Sequence, residues 1–84
     1  MSPDQVREHL RTQPFQPFRL CMSDGSSYEI RHPEFALVTQ RQIAIGIPAG
    51  ADDVPERAVY CDPLHITRIE VLPESKPRQR RNGR

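Results

Sequence analysis

The chain lacks tryptophan, carries only five other aromatic residues and has no long apolar run among its 84 residues. A helix that spans a bilayer needs about 18 or more apolar residues in a row, so the sequence excludes one. The opening segment, MSPDQVREHL, is charged and lacks the apolar stretch of a secretory signal. Together these absences predict a cytoplasmic protein without a membrane contact.

Cysteine is also scarce, and its spacing argues against a disulfide framework and against a metal site. Cys21 and Cys61 lie 40 residues apart in a chain without an export signal, so we expect reduced thiols that act as small apolar fillers. A bridge stays open if the strands that carry them are neighbours. Cys61 and His65 supply two ligands, whereas zinc sites use three or four. We expect no metal and no cofactor.

The same scarcity limits catalysis. A cysteine nucleophile with a histidine base needs an orienting third group and a donor for the oxyanion, and the sequence identifies neither. If Leu20 and Met22 face the core, Cys21 points to the opposite face of its strand, which can be open to solvent. A thiol there is a site for labelling rather than for chemistry. The sequence therefore predicts a protein that is not an enzyme.

Proline is abundant, with nine residues, and it marks the boundaries of the predicted elements. Ser2 as the N-cap, Pro3 in the first turn and Gln5 in a capping box predict the start of a helix. Val6 and Leu10 then form a narrow apolar stripe. The chain therefore begins with one short helix that lies on another element.

A repeated Gln-Pro-Phe unit follows this helix in QPFQPFRL, residues 13–20. Each proline disfavours helical angles in the residue before it, so the repeat is predicted to be an extended connector. Pro14 and Pro17 have the Pro-x-x-Pro spacing of a ligand for an aromatic groove. A chain this short, however, cannot spare Phe15 and Phe18 from its core. We therefore interpret the repeat as a joint that packs the helix onto a sheet.

From Phe18 onwards the apolar residues recur with the period of two that is typical of strands. A three-residue Ser-Asp-Gly loop at 23–25, with its glycine in the left-handed region, makes the first turn. This register places Phe18 opposite Ile30. It also places Leu20 opposite Tyr28, so that polar and apolar side chains are not mixed on one face of the hairpin.

Four further strand segments are predicted, at FALV, QIAIGI, RAVYC and ITRIEVL, separated by HPEF and other turn segments. Ala44 and Gly46 alternate with isoleucines, which suggests close approach of a backbone or a sharply curved strand. Asp62 is expected to cap a tight turn that begins at Pro63. Because most connections are short, neighbouring strands are expected to pair in sequence order.

These patterns predict an α+β fold that is mainly β. A short N-terminal helix precedes five or six short antiparallel strands, which form a bent sheet or a partly open barrel of the SH3 or Sm type. A single compact domain is expected over residues 1–72. Residues 73–84 are predicted to be a disordered basic tail, because they contain two prolines, no apolar residue and mostly positive charges.

Charge is divided unevenly between the domain and the tail. Residues 1–72 hold seven arginines and ten acidic residues, whereas residues 73–84 hold five basic residues and one glutamate. The tail is therefore a candidate for contact with the phosphates of RNA, through Lys76, Arg78, Arg80, Arg81 and Arg84. The domain offers no stacking platform, because the period assigns most of its aromatic rings to the core.

In combination, QPFQPFRL, the Asp-Gly hairpin, HPEF and DPLHITRIEVL resemble a family of small uncharacterised bacterial proteins. Its members share a short N-terminal helix, a Gln-Pro-Phe-x-Pro-Phe element and a closing segment similar to HITRIEV. The likeness covers about residues 4–72 and leaves out the tail. It implies a shared fold and no transferable activity. The order of elements is also similar to Sm-like and SH3-like barrels, which by itself implies no function.

We therefore expect a small non-enzymatic binding or adaptor module whose exposed sheet edge or polar face meets a protein partner or a second copy of the chain. The alternative is an RNA accessory module that acts through the basic tail. The candidate binding residues flank the two turns that interrupt the sheet, and they are His32, Glu34, His65 and Arg68. The two histidines have a simpler interpretation, in which they only satisfy carbonyl groups of the turns.

Overall fold

The structure, a computed structural model, describes residues 1–49 and 54–73. Its elements are α1 (Pro3–Arg11), β1 (Phe18–Met22), β2 (Ser27–Ile30), β3 (Ala36–Val38), β4 (Ile43–Pro48), β5 (Pro55–Cys61) and β6 (Ile66–Val71), with 3-10 turns at Pro33–Phe35 and Pro63–His65. Apart from Pro73, the segment predicted to be a basic tail lies outside the described residues, together with all five of its basic side chains.

The six strands of the described part form two three-stranded antiparallel sheets, in the orders β2-β1-β6 and β3-β4-β5. The turn at Pro33–Phe35 carries the chain from the first sheet to the second, and the turn at Pro63–His65 carries it back. Proline suits the start of each turn because it cannot donate to a strand ladder. Within this part of the chain the sheets are not closed into one barrel. The predicted class, α+β and mainly β, is confirmed.

Strand pairing departs from the expected sequence order at these two corners. β2 does not pair with β3, and β5 does not pair with β6. Instead, β6 pairs with β1, with Phe18 opposite Val71 and Leu20 opposite Ile69. Each 3-10 turn redirects the chain out of its sheet, so the two strands that it joins cannot lie side by side. This arrangement makes β5 an edge strand of the second sheet.

Helix α1 begins as predicted and covers one end of the core. The Ser2 backbone N–H donates to Gln5 Oε1 at 3.2 Å, which is one half of the predicted capping box. Val6 is fully buried and Leu10 is half-buried. No helix in the described ranges has the length and apolarity needed to cross a membrane.

The repeated Gln-Pro-Phe unit is the joint between helix and sheet. Phe18 is fully buried, and its ring centroid lies 5.2 Å from that of His9 and 6.0 Å from that of Phe15. Phe15 itself is only half-buried. The connector bends at Gln13 and Pro14, whose peptide bond is cis. The interior position predicted for Phe18 is confirmed, whereas Phe15 packs at the margin of the core.

The hairpin between β1 and β2 has the predicted register. Phe18 lies opposite Ile30, and Leu20 lies opposite Tyr28. The turn glycine, Gly25, has a φ of 92°, in the left-handed region that favours glycine. Its backbone N–H donates to the Met22 carbonyl at 3.1 Å, which closes the turn.

The core lies between the two sheets and beneath the helix. Its fully buried side chains are Val6, Phe18, Leu20, Ile30, Ile43 and Ile45. The helix and both sheets contribute to this list, so they share one core.

The solvent exposure predicted for Cys21 is wrong, because this residue is only 9% exposed. It does lie on the outer face of β1, opposite Arg68 of β6, next to a register shift at Met22. Long polar side chains cross that face, and an arginine can lay its methylene stem over an apolar neighbour. Both cysteines are free and buried, as expected for apolar fillers, and they belong to different sheets.

Candidate functional site

The four candidate binding residues occupy two separate corners of the fold. His32 precedes the first 3-10 turn and Glu34 lies within it, and the His32 ring lies 5.5 Å from the Phe35 ring at an interplanar angle of 65°. His65 ends the second turn, and Arg68 follows in β6. Among the described residues, no hydrogen bond or ion pair joins the first corner to the second. The structure therefore does not gather the four residues into one site.

Arg68 belongs to an ion-pair network on the outer face of the first sheet. Arg19 donates to Glu29 at 2.8 Å and to Glu70 at 3.0 Å. Arg31 also pairs with Glu29, at 2.8 Å, and Arg68 pairs with Glu70 at 2.7 Å. The hydrogen bond from Arg19 lowers the pKa of Glu29, and those from Arg68 and Arg19 lower the pKa of Glu70. Charges of alternating sign thus span all three strands.

This network predicts a loss of stability in acid. The pKa values of Glu29 and Glu70 lie below their ordinary value of 4.5, so the unfolded chain takes up protons at higher pH than the folded chain. The stabilisation that these two carboxylates contribute is fully present above their ordinary pKa. It disappears as the pH falls through the lowered pKa values that they have in the folded state. We expect Arg19→Gln to reduce the difference in the free energy of unfolding between about pH 5 and about pH 3, measured by urea titration.

The control for this prediction is Arg7→Gln, which removes an exposed pair with Asp4 on the helix. No carboxylate of the network contacts Arg7, so this variant should keep the acid dependence of the wild type. An unchanged acid dependence in Arg19→Gln would show that the pairs of Arg19 with Glu29 and Glu70 do not contribute to stability.

A cleft of about 400 Å³ opens between the β1–β2 turn and the end of β5. Its lining includes Met22, Asp24, Tyr28, Tyr60, Asp62 and His65. Two backbone segments hold it in place, because the Ser23 N–H donates to the His65 carbonyl at 2.7 Å. The cleft contains both tyrosines of the chain.

The mouth of this cleft is anionic. Asp24 Oδ1 accepts from the Ser26 hydroxyl at 2.6 Å and from the Ser26 N–H at 2.9 Å, and these bonds lower the pKa of Asp24. Asp62 Oδ1 accepts from the Leu64 N–H at 2.9 Å, which confirms its predicted cap. Within residues 1–49 and 54–73 neither carboxylate forms an ion pair. Only His65 brings a titratable base to the lining.

The cysteine of the cleft, Cys61, is not activated as a nucleophile. Burial raises the pKa of the Cys61 thiol, and the nearby Asp24 raises it further, so this cysteine stays a thiol at neutral pH. Ser23 Oγ lies 3.3 Å from His65 Nδ1. In the part of the chain described, no carboxylate forms a hydrogen bond with His65.

An apolar row crosses the solvent-facing side of the second sheet. Leu37 of β3 lies opposite Ala44 of β4, and Ala44 lies opposite Tyr60 of β5. Leu37 is 65% exposed and Tyr60 is 67% exposed. Tyr60 therefore belongs to both the apolar row and the cleft.

Sequence reasoning missed this surface because it assigned most aromatic rings to the core. One signal was present, because Tyr60 stands between Val59 and Cys61. Successive side chains of a strand point to opposite faces of the sheet, so a strand that turns Val59 and Cys61 towards the core turns Tyr60 outwards. Val59 lies opposite the buried Ile45, and Cys61 lies opposite the buried Ile43.

Comparison with known proteins shows no significant similarity of this chain to a family model, a curated protein or a solved structure. The family resemblance based on its motifs stays a prediction.

Proposed function

We propose that this domain is a non-enzymatic protein-binding module whose binding surface is the edge strand β5 together with the apolar row Leu37–Ala44–Tyr60. The observation that carries the proposal is the exposure of Leu37 and Tyr60, at 65% and 67%, on either side of Ala44 on one sheet face. Contiguous exposed apolar surface on a soluble domain is typical of an interaction site.

The edge of β5 supplies the polar part of this surface. Strand β5 pairs with β4 on one side, and within the described ranges nothing pairs with its other side. A partner strand can add to this edge through main-chain hydrogen bonds and place alternate side chains on the apolar row. Pro55 opens the strand without an N–H to donate, so pairing is confined to the residues after it. A second copy of the chain can provide the added strand, because it carries the same edge.

RNA binding by the domain itself is less favoured by this geometry. Phosphates would be repelled by Asp24 and Asp62 at the mouth of the cleft. Phe18 and Phe35 are buried and cannot stack on bases. The alternative, RNA contact through residues 73–84, falls almost entirely outside the described residues. The quenching experiment in the next subsection distinguishes binding of this segment to RNA from its binding to the domain.

We expect the double substitution Leu37→Ser with Tyr60→Ser to weaken binding about tenfold or more, because exposed aromatic anchors carry most of the energy of an interface. Self-association is measured by sedimentation equilibrium over a range of concentrations. Binding to other proteins is measured by comparing what the wild type and the variant retain from the same native lysate.

The matched control is Val71→Ser, which removes an apolar side chain that is 51% exposed on β6, in the other sheet. Both variants should unfold within about 0.5 kcal/mol of the wild type, because the substituted side chains are exposed. The proposal fails if the double variant self-associates like the wild type and retains the same proteins.

A further inference from the structure

Two carboxylates of the cleft differ from those carboxylates of the domain that pair with arginine. Asp4, Glu29 and Glu70 each have an arginine partner. Asp24 and Asp62 have none in the part of the chain that the structure describes, although both line one cleft. Each uses Oδ1 for hydrogen bonds within its own turn, which leaves Oδ2 available to a ligand.

The lining of the cleft suits a guanidinium group. The remaining Oδ2 of each aspartate can accept a charge-assisted hydrogen bond from arginine, and an aromatic ring attracts the same planar cation to its face. Tyr28 and Tyr60 provide two such rings beside Asp24 and Asp62. The Met22 side chain adds apolar surface against which the methylene stem of an arginine can pack. The cleft therefore combines the three features that favour arginine over other side chains.

The chain itself contains a segment of the complementary charge. Residues 1–72 have seven arginines against ten acidic residues, whereas residues 73–84 have five basic residues against one glutamate. Four of these five are arginines, at positions 78, 80, 81 and 84. An acidic domain and a basic segment joined in one chain attract each other at low ionic strength.

The length of the segment matches the distance to be covered. The Leu72 N–H donates to the Pro17 carbonyl at 2.9 Å, so β6 ends beside the first residue of β1, whereas the cleft lies at the far end of β1. The five residues of β1 span about 17 Å. An extended chain from Pro73 covers about 17 Å at Arg78 and about 26 Å at Arg81. These arginines are therefore the first that can reach the cleft.

We propose that the cleft is an arginine-binding site and that its occupant is the basic C-terminal segment, residues 76–84, of the same molecule. A short tether gives an effective concentration of the order of millimolar, so a millimolar affinity leaves about half of the sites occupied. The docked segment covers Tyr60 and thereby competes with a partner for the apolar row. This regulatory consequence rests on the proposed function, whereas docking itself does not.

Tyrosine fluorescence gives a direct measurement, because both tyrosines line the cleft and the chain has no tryptophan. The probe is acrylamide, a neutral quencher, applied to the full chain and to a variant in which Arg78, Arg80, Arg81 and Arg84 are replaced by glutamine. With about half of the sites occupied, we expect quenching of the wild type to be roughly twofold weaker than that of the variant. This difference should be present in about 10 mM salt and absent in about 1 M salt.

Isosteric substitutions test the other side of the contact. The double substitution Asp24→Asn with Asp62→Asn keeps the side-chain oxygen that accepts a hydrogen bond in each turn. In this variant, with the wild-type C-terminal segment, tyrosine quenching should be as strong as in the variant with four glutamines. The matched control, Asp4→Asn with Glu8→Gln, changes net charge equally at two exposed positions outside the lining of the cleft. It should leave quenching as in the wild type.

Three results overturn the proposal. Equal quenching of the wild type and the glutamine-tail variant in low salt excludes docking. Protection of the tyrosines from acrylamide that grows with protein concentration shows that the arginines bind to a second copy of the chain. Release of the tyrosines only on adding RNA oligonucleotide, with no effect of the aspartate substitutions, assigns the tail to RNA. None of these results alters the sedimentation test of Leu37 and Tyr60, so the two proposals fail independently.

Discussion

Replacing Phe18 with alanine is expected to lower the free energy of unfolding by about 3–5 kcal/mol. The ring is fully buried and lies against His9 of the helix and Phe15 of the connector. In the sheet, Phe18 is the cross-strand partner of both Ile30 and Val71. Its removal leaves a cavity where the helix, the connector and three strands meet. Since small domains have only about 5–15 kcal/mol of stability, a large part of it should be lost. Urea unfolding followed by circular dichroism measures the change.

Phe15→Ala is the matched control, because it removes the same ring from the other half of the repeat. Phe15 is half-buried, so its substitution should cost about 1 kcal/mol, near half of the transfer free energy of a fully buried side chain and without the added cost of an internal cavity. Equal costs for the two substitutions would contradict the placement of Phe18 inside the core and of Phe15 at its margin.

Local rules predicted the parts of the fold that depend on a few consecutive residues. The register of the first hairpin followed from the requirement that polar and apolar side chains are not mixed on one face. The positive φ of Gly25 agrees with this register. Asp62 caps the turn that Pro63 begins, as its spacing indicated. Each case involves a tight turn, whose residues are at most a few positions apart.

Long-range pairing could not be predicted in the same way. A period of two tells which side chains share a face, but it does not tell which strand lies beside which. The pairing of β6 with β1 was therefore missed, and sequence order suggested a wrong neighbour. The burial of Cys21 was missed for the same reason, because Arg68, which lies opposite it, is 47 positions away in the sequence.

The candidate site was only partly visible in the sequence. His65 drew notice because it flanks a turn, and it does line the cleft. Asp24 and Asp62 each had a sufficient local explanation as turn residues, and Tyr60 was assigned to a strand. Their common location depends on the hydrogen bond from Ser23 to the His65 carbonyl, which joins two turns that are 42 positions apart. Sites built by such contacts become recognisable only when the fold is known.

The substitution Gly46→Ala is expected to cost about 1–3 kcal/mol, because β4 has no room for a side chain at this position. A Cβ atom there would lie 2.9 Å from Pro55 Cγ and 3.0 Å from Pro55 Cβ. The pyrrolidine ring is closed onto its own backbone and cannot rotate away as a flexible side chain would. The small residues of β4 predicted close approach of a backbone or a sharply curved strand, whereas the closest contact at Gly46 is with the side-chain ring of a proline in the neighbouring strand. Urea unfolding provides the measurement.

The same substitution in a Pro55→Gly background separates this contact from any general intolerance of β4. Without the ring, the nearest remaining atom is the Phe35 carbonyl oxygen at 3.6 Å, an ordinary van der Waals contact. Gly46 has no positive φ, so alanine then restricts the unfolded chain and should stabilise the fold by about 0.4–1 kcal/mol. The sign of the effect is therefore expected to reverse between the two backgrounds. A cost that stays the same without Pro55 would mean that something other than this ring requires glycine at position 46.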